Sequence, residues 1–241
     1  MCGRYSITNP ARLDTLPLRL APGAVLPPLP PRYNVAPSQP VPLLRGAADA
    51  REVALVRWGL IPGWADDPSI GNRLANARGD TVAVKPSFRS AFRHRRGILL
   101  ADGFYEWQVV PGQKVKQPWW IGLPDGAPFG MAAIWERWAP KPPGTPAPAG
   151  GGHAAAGGEA PIESACLITT EPNGVMAPIH DRMPVILEPA DYDTWLNPGT
   201  PLPILQSLLR PFPGAMKALR VSTYVNAPRN DGPACVEPVG D

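Results

Sequence analysis

The stretch GILLADGFYEWQV, residues 97–109, decides the fold class because it holds two strand-length apolar runs around Ala101-Asp102-Gly103. Similar runs, rich in β-branched and aromatic residues, continue on both sides of it. They occupy residues 3–8, 41–45, 52–60, 119–123, 129–138, 165–170, 183–187 and 219–225. We expect Ala101-Asp102-Gly103 and Pro124-Asp125-Gly126 to be hairpin turns between such strands.

Helix signals are fewer than strand signals. Asn9-Pro10 offers an N-cap followed by a proline at the first helical position, and Pro86-Ser87-Phe88 opens a second candidate helix. Residues 188–196 and 201–210 are two more candidates. Because strands dominate and helices do not alternate with them, the sequence predicts an α+β fold rather than a doubly wound sheet.

One composition shift interrupts the chain, at APKPPGTPAPAGGGHAAAGGEAPIE, residues 139–163. This Pro/Gly/Ala stretch has too few core-forming side chains for a packed element and is typical of an exposed, mobile loop or linker. Such a stretch can separate two domains. Strand-like segments continue on both sides, however, and this favours a loop insertion within a single domain, residues 1–241.

The composition excludes several classes of protein. Eight Trp, 44% hydrophobic and 18% charged residues indicate a buried core rather than disorder, despite 24 Gly and 35 Pro. No apolar run reaches the roughly 18 residues of a membrane span, so we expect no membrane association. The polar N-terminus lacks a signal-peptide pattern, which indicates a cytoplasmic protein. Three cysteines are too few and too scattered for a disulfide framework or a metal site, and we expect no cofactor.

Positive charge is concentrated in the first part of the chain. Residues 1–110 hold 14 Lys and Arg against 8 Asp and Glu. The densest run contains no acid: Lys85, Arg89, Arg93, His94, Arg95 and Arg96. Charge alone leaves two interpretations open, a surface that binds nucleic acid and a solvated basic face.

Cys2 is the most informative candidate for chemistry. Removal of Met1, which is expected before a small residue, leaves a free α-amine beside the Cys2 thiol. The amine can form a Schiff base with an aldehyde, and the thiol can then close on the imine carbon to give a thiazolidine. The alternatives are an ordinary residue near a frayed terminus, and a thiol nucleophile paired with a histidine.

Two further groups are candidates for proton transfer. Glu106 lies between Tyr105 and Trp107, where an apolar environment raises the pKa of a carboxyl group and suits it to acid–base catalysis. It is alternatively a paired surface carboxylate. His180, in IHDRMPVIL (179–187), is a weaker candidate because a single histidine is more often structural.

Eight motifs occur along the chain in a characteristic order. They are MCGRY (1–5), RYNVAPSQ (32–39), WGLIPGWA (58–65), NARGDT (76–81), PSFR (86–89), ADGFYEW (101–107), IHDRMPVIL (179–187) and VSTYVNAPRNDGPACVEP (221–238). Together they resemble the SOS-response-associated peptidase (SRAP) family over nearly the whole chain except 139–163. The resemblance implies a β-barrel-like core with mixed and antiparallel pairing, short surrounding helices and a basic cleft.

The resemblance also implies a function. Family members bind single-stranded DNA and crosslink covalently to abasic sites through the N-terminal cysteine. Carried over, Cys2 is the nucleophile, Asn76 positions the ring-opened sugar, and Glu106 and His180 transfer protons. The resemblance and the positions of the aromatic and basic side chains give this set of DNA-binding residues: Arg4, Asn34, Trp58, Trp64, Arg78, Pro86, Ser87, Arg89, Arg93, Arg96 and Arg182.

Further expectations concern activity and partners. The expected partner is single-stranded DNA with abasic sites, including those at single/double-strand junctions, bound by a monomer that is nucleoid-associated when on DNA. AP-lyase activity and autoproteolysis are further activities that the family suggests. Two alternatives remain open: a cysteine peptidase using Cys2 and His180, and a module that binds single-stranded or modified DNA non-covalently. The chain departs from the family pattern at Gly79-Asp80, Gly97 and Leu100, none of which is a proposed reacting group.

Overall fold

The computed structural model describes residues 2–48, 50–140 and 160–240. Most of the described secondary structure is β-strand. The strands are β1 (Arg4–Ile7), β2 (Arg32–Val35), β3 (Pro40–Arg45), β4 (Glu52–Trp58), β5 (Asn76–Arg78), β6 (Arg96–Ala101), β7 (Gly103–Gln108), β8 (Gln117–Gly122), β9 (Phe129–Trp138), β10 (Ile162–Thr170), β11 (Met183–Pro184), β12 (Ile186–Leu187) and β13 (Lys217–Arg220).

Five strands close into a barrel in the order β10–β4–β3–β6–β9, with β9 pairing back onto β10. The β10–β4 pairing is parallel and the other four pairings are antiparallel, so the barrel is mixed. The central run of β6, from Ile98 to Ala101, is fully buried because both of its faces are covered. The α+β class and the mixed barrel predicted from the sequence are confirmed.

A second sheet has the order β13–β8–β7–β1–β2 and carries the N-terminus. Strand β1 lies between β2 and β7, and Arg4 is directly opposite Tyr105. The chain start is therefore fixed next to the ADGFYEW segment, one residue from Glu106. This pairing is what gives Cys2 a defined place.

The helices are short and lie around the sheets. They are α1 (Arg89–His94), α2 (Tyr192–Leu196) and α3 (Leu202–Ser207), with 3-10 turns at Pro10–Thr15, Pro68–Arg73, Pro189–Asp191, Thr223–Asn226 and Pro233–Cys235. All four predicted helical segments are present as helical turns, and Asn9 precedes the first one without a capping hydrogen bond from its side chain. Among the described residues, no helix has the length and apolar character that a membrane span requires.

The two predicted hairpins were wrong. Ala101-Asp102-Gly103 carries the chain from β6 in the barrel to β7 in the second sheet, and Pro124-Asp125-Gly126 carries it from β8 in the second sheet to β9 in the barrel. Both tripeptides reverse or bend the chain, as turn residues do, but the strands on either side of them are not hydrogen-bonded to each other. Turn chemistry alone does not specify which strand a neighbour pairs with.

The segment 139–163 lies largely outside the described residues. Its flanking strands are described: β9 ends at Trp138, β10 begins at Ile162, and these two residues are paired across the barrel. Its ends therefore belong to adjacent antiparallel strands.

Candidate active site

Cys2 lies immediately before β1 and is completely buried. Its thiol donates a hydrogen bond to the Arg4 carbonyl oxygen at 3.5 Å, and its own carbonyl accepts one from Asn76 Nδ2 at 2.7 Å. Burial holds the pKa of the thiol far above its ordinary value, and the negative charge of Glu106 raises it further. Cys2 is therefore a neutral thiol at physiological pH.

Asn76 is held against Cys2 by the barrel. It is the first residue of β5, which pairs in parallel with β10, so that Asn76 lies opposite Leu167. Its amide nitrogen is used by Cys2, while its side-chain oxygen is buried and accepts no hydrogen bond from any described residue. A buried amide oxygen of this kind is suited to accept a hydrogen bond from a group that arrives with a ligand.

Glu106, on β7, faces His180 across the site. The distance from Glu106 Oε2 to His180 Nε2 is 3.7 Å, a contact rather than a hydrogen bond. The Glu106 side chain is 2% exposed, and burial raises the pKa of its carboxyl group from 4.5 to about 7, with the charge of Asp181 acting in the same direction. Near neutral pH this carboxyl group can therefore both donate and accept a proton.

His180 is oriented by its own backbone turn. Its Nδ1 accepts a hydrogen bond from the Arg182 backbone N–H at 3.0 Å, so the proton of the neutral ring is on Nε2, facing Glu106. Burial lowers the pKa of His180, while Asp181, whose Oδ1 is 3.0 Å from Nδ1, acts against this shift. The ring is thereby kept largely neutral, in a tautomer that can donate a proton toward Glu106.

A cavity of about 370 Å³ opens beside this pair. It is lined by Arg4, Glu106, Trp107, Lys116, His180 and Asn226. The guanidinium of Arg4 lies 5.9 Å from the centre of the Trp107 ring. Two of the four proposed catalytic residues, Glu106 and His180, thus line one cavity.

The C-terminal segment 222–238 forms one wall of the cavity. Asn226 Oδ1 accepts a hydrogen bond from Trp107 Nε1 at 2.7 Å, and Arg4 Nη1 donates to the Val225 carbonyl at 2.9 Å. Asp231 anchors the segment by accepting hydrogen bonds from the backbone N–H groups of Tyr33 and Asn34. The wall is therefore fixed to the second sheet by hydrogen bonds. This accounts for a site motif that is distant in sequence from the other site residues.

Three predicted DNA-binding residues are buried and bind other parts of the protein, which does not favour a direct contact with DNA. Asn34 donates from Nδ2 to the carbonyls of residues 225, 227 and 230 and so holds the C-terminal wall. Trp58 is fully buried and donates to the Ala75 carbonyl, so that its faces are not available to a base. Arg96 donates to four carbonyl oxygens, those of residues 92, 93, 195 and 197.

Arg78 and Arg182 lie together at the end of the β5–β10 pair. Arg78 is half-exposed and forms a bidentate ion pair with Asp80 at 2.6 and 3.1 Å. Arg182 donates from Nη2 to the Thr169 carbonyl, and its Nε is buried without a hydrogen-bond partner among the described residues. Burial lowers the pKa of Arg182, and the neighbouring charge of Arg78 adds to that effect.

The remaining predicted contacts lie away from the cavity lining. Arg89 and Arg93 are exposed on α1, which packs on β6 and β9, and Pro86 and Ser87 lie in the turn before it. Trp64 is 54% exposed in the loop that follows β4. Their role in binding stays a prediction.

Sequence reasoning missed three residues that shape the site. Lys116 and Asn226 line the cavity: Lys116 lies outside every quoted motif, and Asn226 lies within the 221–238 motif but was assigned no role. Asp102, treated as a turn residue, is a buried acceptor that binds Ser6 Oγ at 2.7 Å and the backbone N–H of Asn9 at 3.1 Å. It also accepts from Thr8, so it fixes the far end of β1 against β7. The signal available in the sequence was an Asp between two apolar, strand-like runs.

The model of the SOS response associated peptidase (SRAP) family matches residues 1–228. The chain belongs to the SRAP family. It is similar to the abasic site processing protein YoqW of Bacillus subtilis, with 40% identity over 209 residues, which cover 86% of each chain. The abasic site processing protein HMCES of Gallus gallus is 32% identical over 241 residues, covering 87% of this chain and 66% of that protein.

A solved structure has the same fold. A crystal structure of a protein from Bacteroides thetaiotaomicron matches 99% of this chain and 100% of its own, with a TM-score of 0.77 and 26% identity. The resemblance stated from the motifs is thus confirmed at the level of family and fold.

Proposed function

We propose that this SRAP protein captures abasic sites in single-stranded DNA as a covalent thiazolidine on Cys2. The observation that carries the proposal is the placement of a fully buried Cys2 beside Glu106, a carboxyl group whose pKa is raised to about 7. The similarity to proteins named for abasic site processing supports DNA with abasic sites as the substrate.

The proposed reaction begins at the α-amine of Cys2 after Met1 has been removed. The amine adds to the aldehyde carbon of the ring-opened sugar, and loss of one water from the carbinolamine gives an imine. The thiol sulfur then bonds to the imine carbon while its proton is transferred to nitrogen, which closes the five-membered ring. One water leaves in total, and no oxidant or reductant is consumed.

Glu106 and His180 are suited to the proton transfers in this sequence. In the protonated form Glu106 can donate a proton to the sugar ring oxygen during opening or to the departing hydroxyl of the carbinolamine. In the ionised form it can accept the thiol proton as the carbon–sulfur bond forms. A pKa of about 7 keeps both forms populated, and such assistance is typically worth about 10²–10⁴-fold in rate.

The thiol environment favours this route over a cysteine peptidase. A peptidase needs a thiolate paired with a histidine, which lowers the pKa of the cysteine. Here burial raises the pKa of Cys2, and the thiol donates to the Arg4 carbonyl. Within the described residues, no hydrogen bond or ion pair joins Cys2 to His180.

Two exposed surfaces support single-stranded DNA as the partner. Arg78 and Arg182 lie beside Asn76 at the end of β5, and Arg89 and Arg93 form the exposed face of α1. Guanidinium groups bind phosphates in a bidentate manner, and the exposed Trp64 offers a stacking face. We propose that the protein acts as a monomer in the cytoplasm, and with the nucleoid when bound to DNA.

The experiment is a denaturing gel after incubation with single-stranded DNA that carries one abasic site. We expect a DNA–protein band without added borohydride, and none with Cys2→Ala or with an uncleaved N-terminal tag. The matched control is Cys166→Ala, which removes another fully buried thiol that lies in β10. A band of normal yield from the tagged protein refutes the aminothiol mechanism, and mass spectrometry of the intact chain checks that Met1 is absent.

A further inference from the structure

Lys116 lies at the cavity and has no role in the reaction proposed above. It ends the loop between β7 and β8, directly before Gln117. The same loop carries Lys114, and both lysines are exposed. Of the two, Lys116 lines the cavity. Comparing substitutions of the two lysines therefore distinguishes the effect of a positive charge in this loop from the effect of a positive charge at the cavity.

The ammonium of Lys116 is close to the reacting groups. It lines the same cavity as Glu106 and His180. Burial lowers the pKa of His180, and the positive charge of Lys116 acts in the same direction. In the part of the chain that the structure describes, Lys116 forms no hydrogen bond and no ion pair. Its side chain is therefore not held in place by another described group.

Arg4, the other permanent cation of the lining, is committed to the protein. Its Nη1 donates to Asn34 Oδ1 and to the Val225 carbonyl, and its Nη2 donates to the Asn226 carbonyl at 3.5 Å. These contacts hold the C-terminal wall and leave the guanidinium little freedom to follow a ligand. Lys116, on a flexible four-carbon chain with three donors, is the cation that can reach an anion in the cavity.

We propose that Lys116 binds the phosphate that flanks the abasic sugar and so holds the sugar carbon toward Glu106 and Cys2. This rests on the proposed function, since it assumes that a nucleotide enters the cavity. A sugar without a base offers little surface for recognition. One phosphate contact at the cavity therefore fixes the position of the reacting carbon along the strand.

The first test is the salt dependence of non-covalent binding. The probe is single-stranded DNA with a tetrahydrofuran abasic analogue, which has no aldehyde and forms no adduct. Removing one phosphate contact flattens the log–log slope by about 0.7, which corresponds to about five-fold weaker binding at about 0.1 M salt. We expect this change for Lys116→Gln and not for Lys114→Gln. Equal slopes for the two variants overturn the assignment.

The second test identifies the phosphate. An uncharged methylphosphonate replaces the linkage 5′ or 3′ of the analogue, one at a time. At one of the two positions the wild-type protein should lose about five-fold in affinity, while Lys116→Gln should lose nothing more. Independent losses at both positions overturn the proposal.

The outcomes distinguish this proposal from the one on which it rests. If the wild type neither binds nor crosslinks abasic single-stranded DNA, the proposed function fails, and the role of Lys116 fails with it. If the wild type crosslinks and Lys116→Gln behaves as Lys114→Gln does, only the Lys116 assignment fails. With saturating aldehyde-bearing DNA, Lys116→Gln should still reach the full yield of adduct, because the nucleophile is unchanged.

Discussion

Replacing Glu106 with Gln should make the protein more stable near neutral pH while it slows the chemistry. The carboxyl group is 2% exposed, and burial raises its pKa from 4.5 to about 7. The difference of about 2.5 pH units, at about 1.36 kcal/mol per unit, corresponds to on the order of 3 kcal/mol. This is the free energy that the fold loses when a buried carboxyl group must ionise, and glutamine has no such cost.

The sign of the pH dependence follows from the raised pKa. Below about pH 4.5, Glu106 is protonated in the folded and unfolded states alike, and its full contribution to stability is present. Between about 4.5 and 7 the unfolded chain releases the proton while the folded chain keeps it, so the wild type loses stability as pH rises. Above about pH 7 the loss is complete. The Glu106→Gln variant does not share it.

The assay is urea unfolding of both proteins at a series of pH values from about 4.5 to 8. The difference in unfolding free energy between variant and wild type should grow by on the order of 3 kcal/mol across this range. Glu52→Gln, which neutralises an exposed carboxylate on β4, is the matched control and should show no comparable growth. A difference that stays constant within about 0.5 kcal/mol, the usual scale of an uninvolved surface substitution, refutes the reasoning.

Three other substitutions distinguish DNA binding from folding stability, and a labelling experiment tests the reactivity of Cys2. Arg93→Gln should flatten the salt dependence of DNA binding by about 0.7 in log–log slope. Arg96→Gln should leave this slope unchanged and lower the unfolding free energy by about 2–4 kcal/mol, because four carbonyl oxygens lose a charged donor. Binding titrations at several salt concentrations measure the slopes, and urea unfolding measures the stability. Equal slopes for Arg93→Gln and Arg96→Gln contradict this prediction. Asp102→Ala should cost about 2–3 kcal/mol, since one buried donor and two partly buried donors lose their acceptor, and an unchanged urea midpoint contradicts it. Cys2 should resist iodoacetamide in the folded protein and react once the chain is unfolded, as peptide mass spectrometry can show; rapid labelling of the folded chain contradicts the buried thiol.

Features that depend on nearby residues were predictable from the sequence. The proposed aminothiol chemistry of Cys2, which stays a prediction, rests only on the two residues at the chain start. The raised pKa expected for Glu106 followed from its aromatic neighbours, and it is found, although the main cause is burial by the whole fold. Strands with many β-branched and aromatic residues, such as 129–138, form where they were expected because their side chains suit a buried pleated surface.

Features that depend on which strands pair were not predictable in the same way. Ala101-Asp102-Gly103 has the composition of a hairpin turn, yet it passes between two sheets. Arg96 belongs to a basic run, but it is the first residue of β6, where its side chain turns inward to cap carbonyls at the end of α2. Charge patterns report composition along the chain. They do not report which face of a strand a residue occupies, and that face decided the roles of Arg96 and Trp58.

The site itself depends on two strand pairings and one turn, which bring together distant segments, and these explain its chemistry better than any single residue. Pairing of β1 with β7 brings Cys2 next to Glu106, pairing of β5 with β10 brings Asn76 to the Cys2 carbonyl, and the turn before β11 presents His180. The resulting burial raises the pKa of the thiol, and oxidation, alkylation and metal binding all need a thiolate. An amine-first reaction needs no thiolate until the imine is formed, and Glu106 is then next to the thiol to accept its proton. Burial thus suppresses competing reactions of Cys2 without obstructing the proposed one.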